Sequence, residues 1–392
     1  MPKNATRSGR DADGPSGDLS APRRGGGSRP VSPPWRTIKP VGPGAALARG
    51  VRTTEAGAGV TSDVADHREG GENGPVFGAG CAEHLATGPD APHGPHMTRS
   101  SHKTLLCIGF GYTARALAAA LAGPDWRIIG TTRDRAEAAP MAGVTLCTWP
   151  GDPVPLSGVT HVLLSIAPTE EGDPVLASMA EDIAALPGLE WVGYLSTTAV
   201  YGDHNGAWVD ETTPLTPASR RGDLRVEAEA GWQAIADLPL HIFRLAGIYG
   251  PGRGPFAKLM SGRARRIVKP GQVFSRIHVD DIAQVLVASI ARPDPGAIYN
   301  VCDDEPAPPQ DVLGFAAELL GLPMPAEVPF DEAGMSPMAR SFYGENKRVR
   351  NDRIKDELGV RLLFPDYRSG LRAVLEVEDM DRFVPPADPP GV

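Results

Sequence analysis

The sequence predicts an α/β fold, a doubly wound parallel sheet with a small C-terminal lobe, preceded by a disordered N-terminal extension. Three observations predict it. A short apolar run, Thr104-Leu-Leu-Cys-Ile-Gly-Phe-Gly-Tyr-Thr-Ala114, breaks into paired glycines and passes into the Ala-rich segment Arg115 to Leu121. Further apolar runs then alternate with segments of helical spacing as far as Val301. Residues 1–96 hold 30 Gly plus Pro and 11 Leu, Ile, Val or Phe, too little apolar surface to offset the entropy of ordering a chain.

The opening run reads as strand, tight turn, helix. In that geometry Gly109 and Gly111 let the backbone approach a diphosphate, and the helix N-terminus offers unpaired N–H groups to its charge. Ala114 takes the third position of G-x-G-x-x-G/A, so Gly109, Phe110, Gly111, Tyr112, Thr113 and Ala114 form the candidate nucleotide-binding turn. Trp126 to Thr132 is a second strand and Val144 to Trp149 a third. Thr160 to Ser165 is a buried-type strand whose tip, Ile166 and Ala167, lies where a doubly wound sheet binds its ligand. Helical spacing over Val175 to Leu186 leads to a fifth strand, Trp191 to Ser196, with Thr197-Thr-Ala-Val-Tyr-Gly202 at its carboxyl end. Leu224 to Ile235 is then helical, and Leu240 to Leu245 a sixth strand. Pro255 to Pro270 reads as a helix and a basic loop. Asp280 or Asp281 is placed to cap an apolar helix over Ile282 to Ala291. A late strand, Ala297 to Val301, and helical stretches over Gln310 to Leu320 and Asn351 to Leu358 precede a Pro-rich end.

The end of the second strand bears on cofactor choice. An NAD site places an Asp or Glu there for the ribose 2′-OH, whereas an arginine accommodates a 2′-phosphate. Here Thr131 and Thr132 are followed by Arg133, 24 residues after Gly109. A hydroxyl and a guanidinium fit NADP better than NAD, although Asp134 offers NAD an acceptor. The four cysteines, at 81, 107, 147 and 302, form no C-x-x-C pair, so neither a metal site nor a disulfide framework is expected and a cytoplasmic location fits. A net charge of −9 without a basic stripe argues against a nucleic-acid partner. No run of 18 apolar residues suggests a membrane span. Nothing before residue 97 reads as a secretory signal, and Met97 is a candidate start.

Taken together, four segments resemble the extended branch of the short-chain dehydrogenase/reductase superfamily, home of nucleotide-sugar epimerases and dehydratases. They are Leu195-Ser-Thr-Thr-Ala-Val-Tyr-Gly-Asp203, Phe243-Arg-Leu-Ala-Gly-Ile-Tyr-Gly-Pro-Gly252, Ile277-His-Val-Asp-Asp281 and Ile298-Tyr-Asn-Val301. The resemblance covers residues 104–375. It implies a Rossmann domain over 101–247 and 272–301, a substrate-binding lobe from 248–271 and 302–385, and a nicotinamide cofactor. It also implies a small-molecule substrate and a homodimer, with Leu224 to Ile235 as one candidate contact helix.

The resemblance assigns Thr197, four residues before Tyr201, to the substrate oxygen, with Ser196 in reserve. It fails at the Tyr-x-x-x-Lys dyad, where Arg221 stands in the tyrosine position and Arg225 in the lysine position. Arginine stays protonated and has no acceptor, so Arg221 cannot exchange a proton with an alcohol or a carbonyl. Arg225 retains donors for the nicotinamide ribose, and Arg221 suits a carboxylate or phosphate. Tyr201, Asp203, His204 and His278 are the other titratable residues the family geometry brings near the crevice, with His278 more often a loop anchor. Two functions follow. One is an NAD(P)-dependent oxidoreductase or epimerase-like enzyme acting on a hydroxyl or carbonyl of a small, anionic or sugar-derived substrate; the other is a catalytically silent NADP-binding sensor or scaffold.

Overall fold

The computed structural model describes residues 102–378. The expectations of a disordered extension over 1–100 and of a start at Met97 lie outside the described residues. Seven strands form one parallel sheet: β1 (Lys103–Ile108), β2 (Trp126–Thr132), β3 (Val144–Thr148), β4 (His161–Leu164), β5 (Trp191–Thr197), β6 (Leu240–Leu245) and β7 (Ile298–Val301). Their spatial order is β7-β6-β5-β4-β1-β2-β3. β1 pairs with β2 on one side, Leu105 opposite Ile128, and with β4 on the other, Leu105 opposite His161. The order therefore reverses direction between β1 and β4, which puts the ligand crevice beyond the carboxyl ends of these two strands.

The helices are α1 (Tyr112–Ala120), α2 (Pro174–Ala184), α3 (Arg220–Gln233), α4 (Phe256–Met260), α5 (Val279–Ala291), α6 (Pro309–Leu319), α7 (Pro337–Phe342), α8 (Asp352–Asp356) and α9 (Tyr367–Val377). Alternation along β1 sends Leu105 and Cys107 to one face and Leu106 and Ile108 to the other. Leu105 and Cys107 meet Ala114 and Leu117 of α1 and Ile282, Val285 and Leu286 of α5. Leu106 and Ile108 meet Val175, Met179 and Ile183 of α2 and Ala228 and Trp232 of α3. Both faces are covered, so the central strands are apolar throughout rather than alternating. Each fully buried Leu or Ile contributes roughly 1.5–3 kcal/mol. A third cluster joins Tyr249, Phe256, Leu259, Val312, Ala316, Tyr367, Leu371 and Val374.

Several expectations are corrected. Helix α3 begins at Arg220 rather than Leu224, because the Ser219 hydroxyl accepts the Gly222 N–H and starts the helix one turn early. Neither Asp280 nor Asp281 caps α5. His278 does, its Nδ1 accepting the Asp280 N–H at 3.2 Å, and the Asp281 carboxylate instead accepts the Leu363 and Phe364 N–H groups at 2.6 and 3.0 Å. The basic loop contains a short strand, Arg266–Val268, parallel to Glu327–Pro329. Helix α9 was not expected. Gly370 interrupts its apolar pattern, and that glycine is where the Tyr249 phenol packs.

Candidate active site

Beyond β1 the backbone turns at Gly109, whose φ of +93° favours glycine. Thr131 pins the turn. Its hydroxyl accepts the Gly109 N–H at 2.8 Å and its carbonyl the Phe110 N–H at 2.7 Å. Gly111 is the N-cap of α1, without a side-chain cap or an acidic residue in the first turn, so the first N–H groups of the helix face outward unpaired. A Cβ built on Gly111 meets nothing within 4 Å. These residues fit a dinucleotide diphosphate: an open approach, converging N–H groups and a positive helix end.

The side chains of the turn mostly pack. The Phe110 ring covers Gly130, where a Cβ would lie 2.5 Å from Phe110 Cγ. Thr113 and Ala114 are buried against the core, and the Tyr112 phenol donates to the Pro251 carbonyl at 3.0 Å. Ile166, just after β4, presses on Gly109 from the opposite side, with Ala167 following it; a Cβ on Gly109 would lie 2.8 Å from Ile166 Cγ1. At the end of β2, Thr132 donates to the Asp134 carbonyl at 3.3 Å. The Asp134 carboxylate is turned into its own loop, accepting the Ala136 N–H at 2.8 Å. Arg133 is exposed, and among the described residues its guanidinium has no hydrogen-bond or ion-pair partner. Of the two side chains after Thr132, the arginine is therefore the one free for a ligand.

Thr197 ends β5, and its hydroxyl oxygen accepts the Ala199 N–H at 3.3 Å, which leaves the hydroxyl proton free to be donated. Ser196 points to the other face, where it is buried and donates to Glu229 Oε1. Glu229 holds Arg244 through Nη2 at 2.7 Å and Nε at 3.2 Å. Arg244 Nη1 donates to the Tyr201 hydroxyl at 3.0 Å, which donates to Asn300 Oδ1 at 2.7 Å. Burial pushes the Tyr201 phenol up to about 12. Ser196 and Tyr201 are thus committed to a buried network spanning β5, β6 and β7. An arginine inside the apolar strand Leu240–Leu245 was the sequence signal for it, since a charge there has to be paired.

Arg225 and Arg221 stand four residues apart on α3. Gly222 between them lets the helix approach the turn after Thr197, where a Cβ would lie 2.9 Å from the Ala199 carbonyl oxygen. Arg225 turns inward, its Nη1 donating to the Tyr194 hydroxyl at 2.9 Å and the Leu195 carbonyl at 2.8 Å. Arg221 turns outward and lies over the Phe342 ring, 4.7 Å from its centroid. Among the described residues its guanidinium has no hydrogen-bond or ion-pair partner. Thr197 and Arg225 are thus both anchored at the carboxyl end of β5, whereas Arg221 is directed away from it toward Phe342.

The two histidines serve as anchors. His204 Nε2 lies 3.0 Å from the Tyr201 carbonyl oxygen. The His278 ring packs against Phe364 with centroids 4.2 Å apart, and burial holds it down to about 4. It is neutral at physiological pH.

Asp303, which no sequence motif marks, is buried just beyond β7 with neither carboxylate oxygen hydrogen-bonded. Burial pushes it up to about 8 against the pull of Arg276. The folded state then holds a proton that the unfolded state releases near pH 3.8, so stability falls as pH rises across that window. Asp303→Asn is expected to flatten this fall. The stability difference, variant minus wild type, grows by on the order of 2 kcal/mol between about pH 5 and pH 9 in urea titrations. A difference that stays constant with pH contradicts the assignment.

No family model matches the chain. A solved structure, a functionally unknown conserved protein from Silicibacter pomeroyi DSS, is 66% identical with a TM-score of 0.69, covering 71% of this chain and 99% of its own. The chain belongs to the family of that conserved protein. Among curated proteins, Protein YeeZ of Escherichia coli (strain K12) is 28% identical over 284 residues, covering 67% of this chain and 97% of its own length. The fold is also that of the human epimerase family protein SDR39U1, solved with NADPH. That structure is 18% identical with a TM-score of 0.56, covering 70% of this chain and 99% of its own.

Proposed function

We propose that this protein is an NADP-preferring oxidoreductase of the epimerase/reductase kind, acting on a hydroxyl or carbonyl of a small anionic or sugar-derived substrate. The observation that carries the reading is the turn from Gly109 to Ala114, with its left-handed glycine and its outward-facing helix N-terminus. The NADPH bound by the human epimerase family protein and the NAD bound by MoeE5 support a nicotinamide dinucleotide as the ligand. In this reading the unpaired N–H groups of Tyr112 and Thr113 hold the diphosphate where Phe110 and Gly111 shape the turn, and Thr132 and Arg133 hold the 2′-phosphate. Ile166 and Ala167 line the dinucleotide beside Gly109. The remaining donors of Arg225 serve the nicotinamide ribose. The cofactor, when bound, supplies the hydride chemistry.

Thr197 donates a hydrogen bond to the substrate oxygen, and Arg221 pairs with a substrate anion through a fork of donors that no other described residue uses. Thr197→Val is expected to lower kcat by roughly 100-fold for NADPH-dependent carbonyl reduction, since it removes a donor aimed at developing charge, with cofactor affinity unchanged. Undiminished turnover contradicts the role.

A second reading, a catalytically silent NADP-binding sensor or scaffold, is favoured by the arginines at both dyad positions. Turnover that persists at high purity and vanishes on Gly109→Val rules it out.

A further inference from the structure

We infer that Arg253, contributed by the loop after Tyr249, forms the outer wall of the diphosphate site and binds the diphosphate of either nicotinamide dinucleotide. The inference rests on the dinucleotide reading above and adds a residue from outside the β1–α1 motif.

Four observations lead there. The turn from Gly250 to Arg253 is closed by reciprocal backbone hydrogen bonds, the Gly250 N–H to the Arg253 carbonyl at 3.1 Å and the Arg253 N–H to the Gly250 carbonyl at 2.9 Å. Gly252 at φ +73° gives the turn its sharpness. The turn is stapled to the start of α1, because the Tyr112 phenol donates to the Pro251 carbonyl at 3.0 Å and fills the space where a Cβ on Gly250 would sit. Tyr112 is the first residue of α1, so this staple holds the loop against the N–H groups that face the diphosphate.

The fourth observation is the guanidinium itself. Its central carbon lies 5.8 Å from the Tyr112 ring centroid. The residue is exposed, and among the described residues its guanidinium makes no hydrogen bond or ion pair. Asp280 and Glu378 also face Tyr112. Glu378 accepts the Gly252 N–H at 3.3 Å, and neither carboxylate pairs with Arg253. Two carboxylates beside an anion site repel the anion, and a free guanidinium on the same side offsets them. Its planar fork matches two oxygens of a diphosphate at once. Arg253 is thereby separated in role from Arg133, which stands beyond β2 on the side of the 2′-phosphate.

The two arginines make different predictions, because the diphosphate is common to NADH and NADPH and the 2′-phosphate is not. Fluorescence titration of the full chain with each dinucleotide tests this. Arg253→Ala is expected to weaken NADPH and NADH by the same factor, roughly tenfold, and Arg253→Lys to recover part of the loss as a point charge. Arg133→Ala is expected to weaken NADPH alone. Unchanged affinities in Arg253→Ala, or a loss confined to NADPH, overturn the inference and leave the dinucleotide reading standing. Failure of the wild-type chain to bind either dinucleotide overturns both.

Discussion

Replacing Gly109 by valine is expected to weaken nicotinamide-dinucleotide binding by roughly 100-fold or more while the protein remains folded. Two effects act together at this position. The backbone sits at φ +93°, a conformation that costs a β-branched residue on the order of 1–3 kcal/mol. A Cβ would also lie 2.8 Å from Ile166 Cγ1 and 3.3 Å from the Ile166 amide nitrogen, so the turn has to move off the end of β4. Moving it breaks the hydrogen bonds to Thr131 that aim the loop and opens the alignment of the α1 N-terminus. Circular dichroism checks that the sheet survives, and titration with NADPH measures the loss. Binding within threefold of wild type contradicts the assignment of the turn.

The second large effect is on stability. Glu229→Ala leaves Arg244 buried without its countercharge, and removal of one partner of a buried pair costs about 3–5 kcal/mol. The same substitution deprives Ser196 of its acceptor and loosens the hold of Arg244 on Tyr201. Urea denaturation is expected to show the unfolding free energy falling by that amount and the midpoint falling with it, with Glu229→Gln milder because it keeps one acceptor for Ser196 or Arg244. A cost below about 1 kcal/mol for Glu229→Ala contradicts the pair as a determinant of the fold. The network also separates two neighbours that the sequence left as alternatives. Ser196 is a structural donor on one face of β5, and Thr197, one residue on and therefore on the other face, keeps a free hydroxyl proton.

How far the sequence was legible follows from the range of each interaction. The strand–turn–helix from Lys103 to Ala120 is set by neighbours in the chain, by glycine conformation and by apolar alternation, and it reads directly. So does β6, where the apolar run from Leu240 to Leu245 has the same bounds in the structure. The short strands Trp208–Val209 and Arg348–Val349 pair across a long stretch of sequence, and two residues carry no periodicity from which to read them. Helix α9 was hidden by Gly370, whose reason is the phenol of Tyr249 in another segment. At the site, the types and order of Gly109, Thr197, Arg221 and Arg225 were readable, but their partners were not. The Arg225 contact with Tyr194, the Arg221 contact with Phe342 and the tie of Tyr112 to Pro251 each join distant parts of the chain.

The central claim is a dinucleotide site tuned to a 2′-phosphate, and paired fluorescence titrations with NADPH and NADH, on wild type and Arg133→Ala, test it most directly. Wild type is expected to bind NADPH about tenfold more tightly than NADH, the worth of one charge-assisted contact, and Arg133→Ala to bind the two equally. Failure to bind either dinucleotide, or a preference for NADH that Arg133→Ala leaves in place, would contradict it.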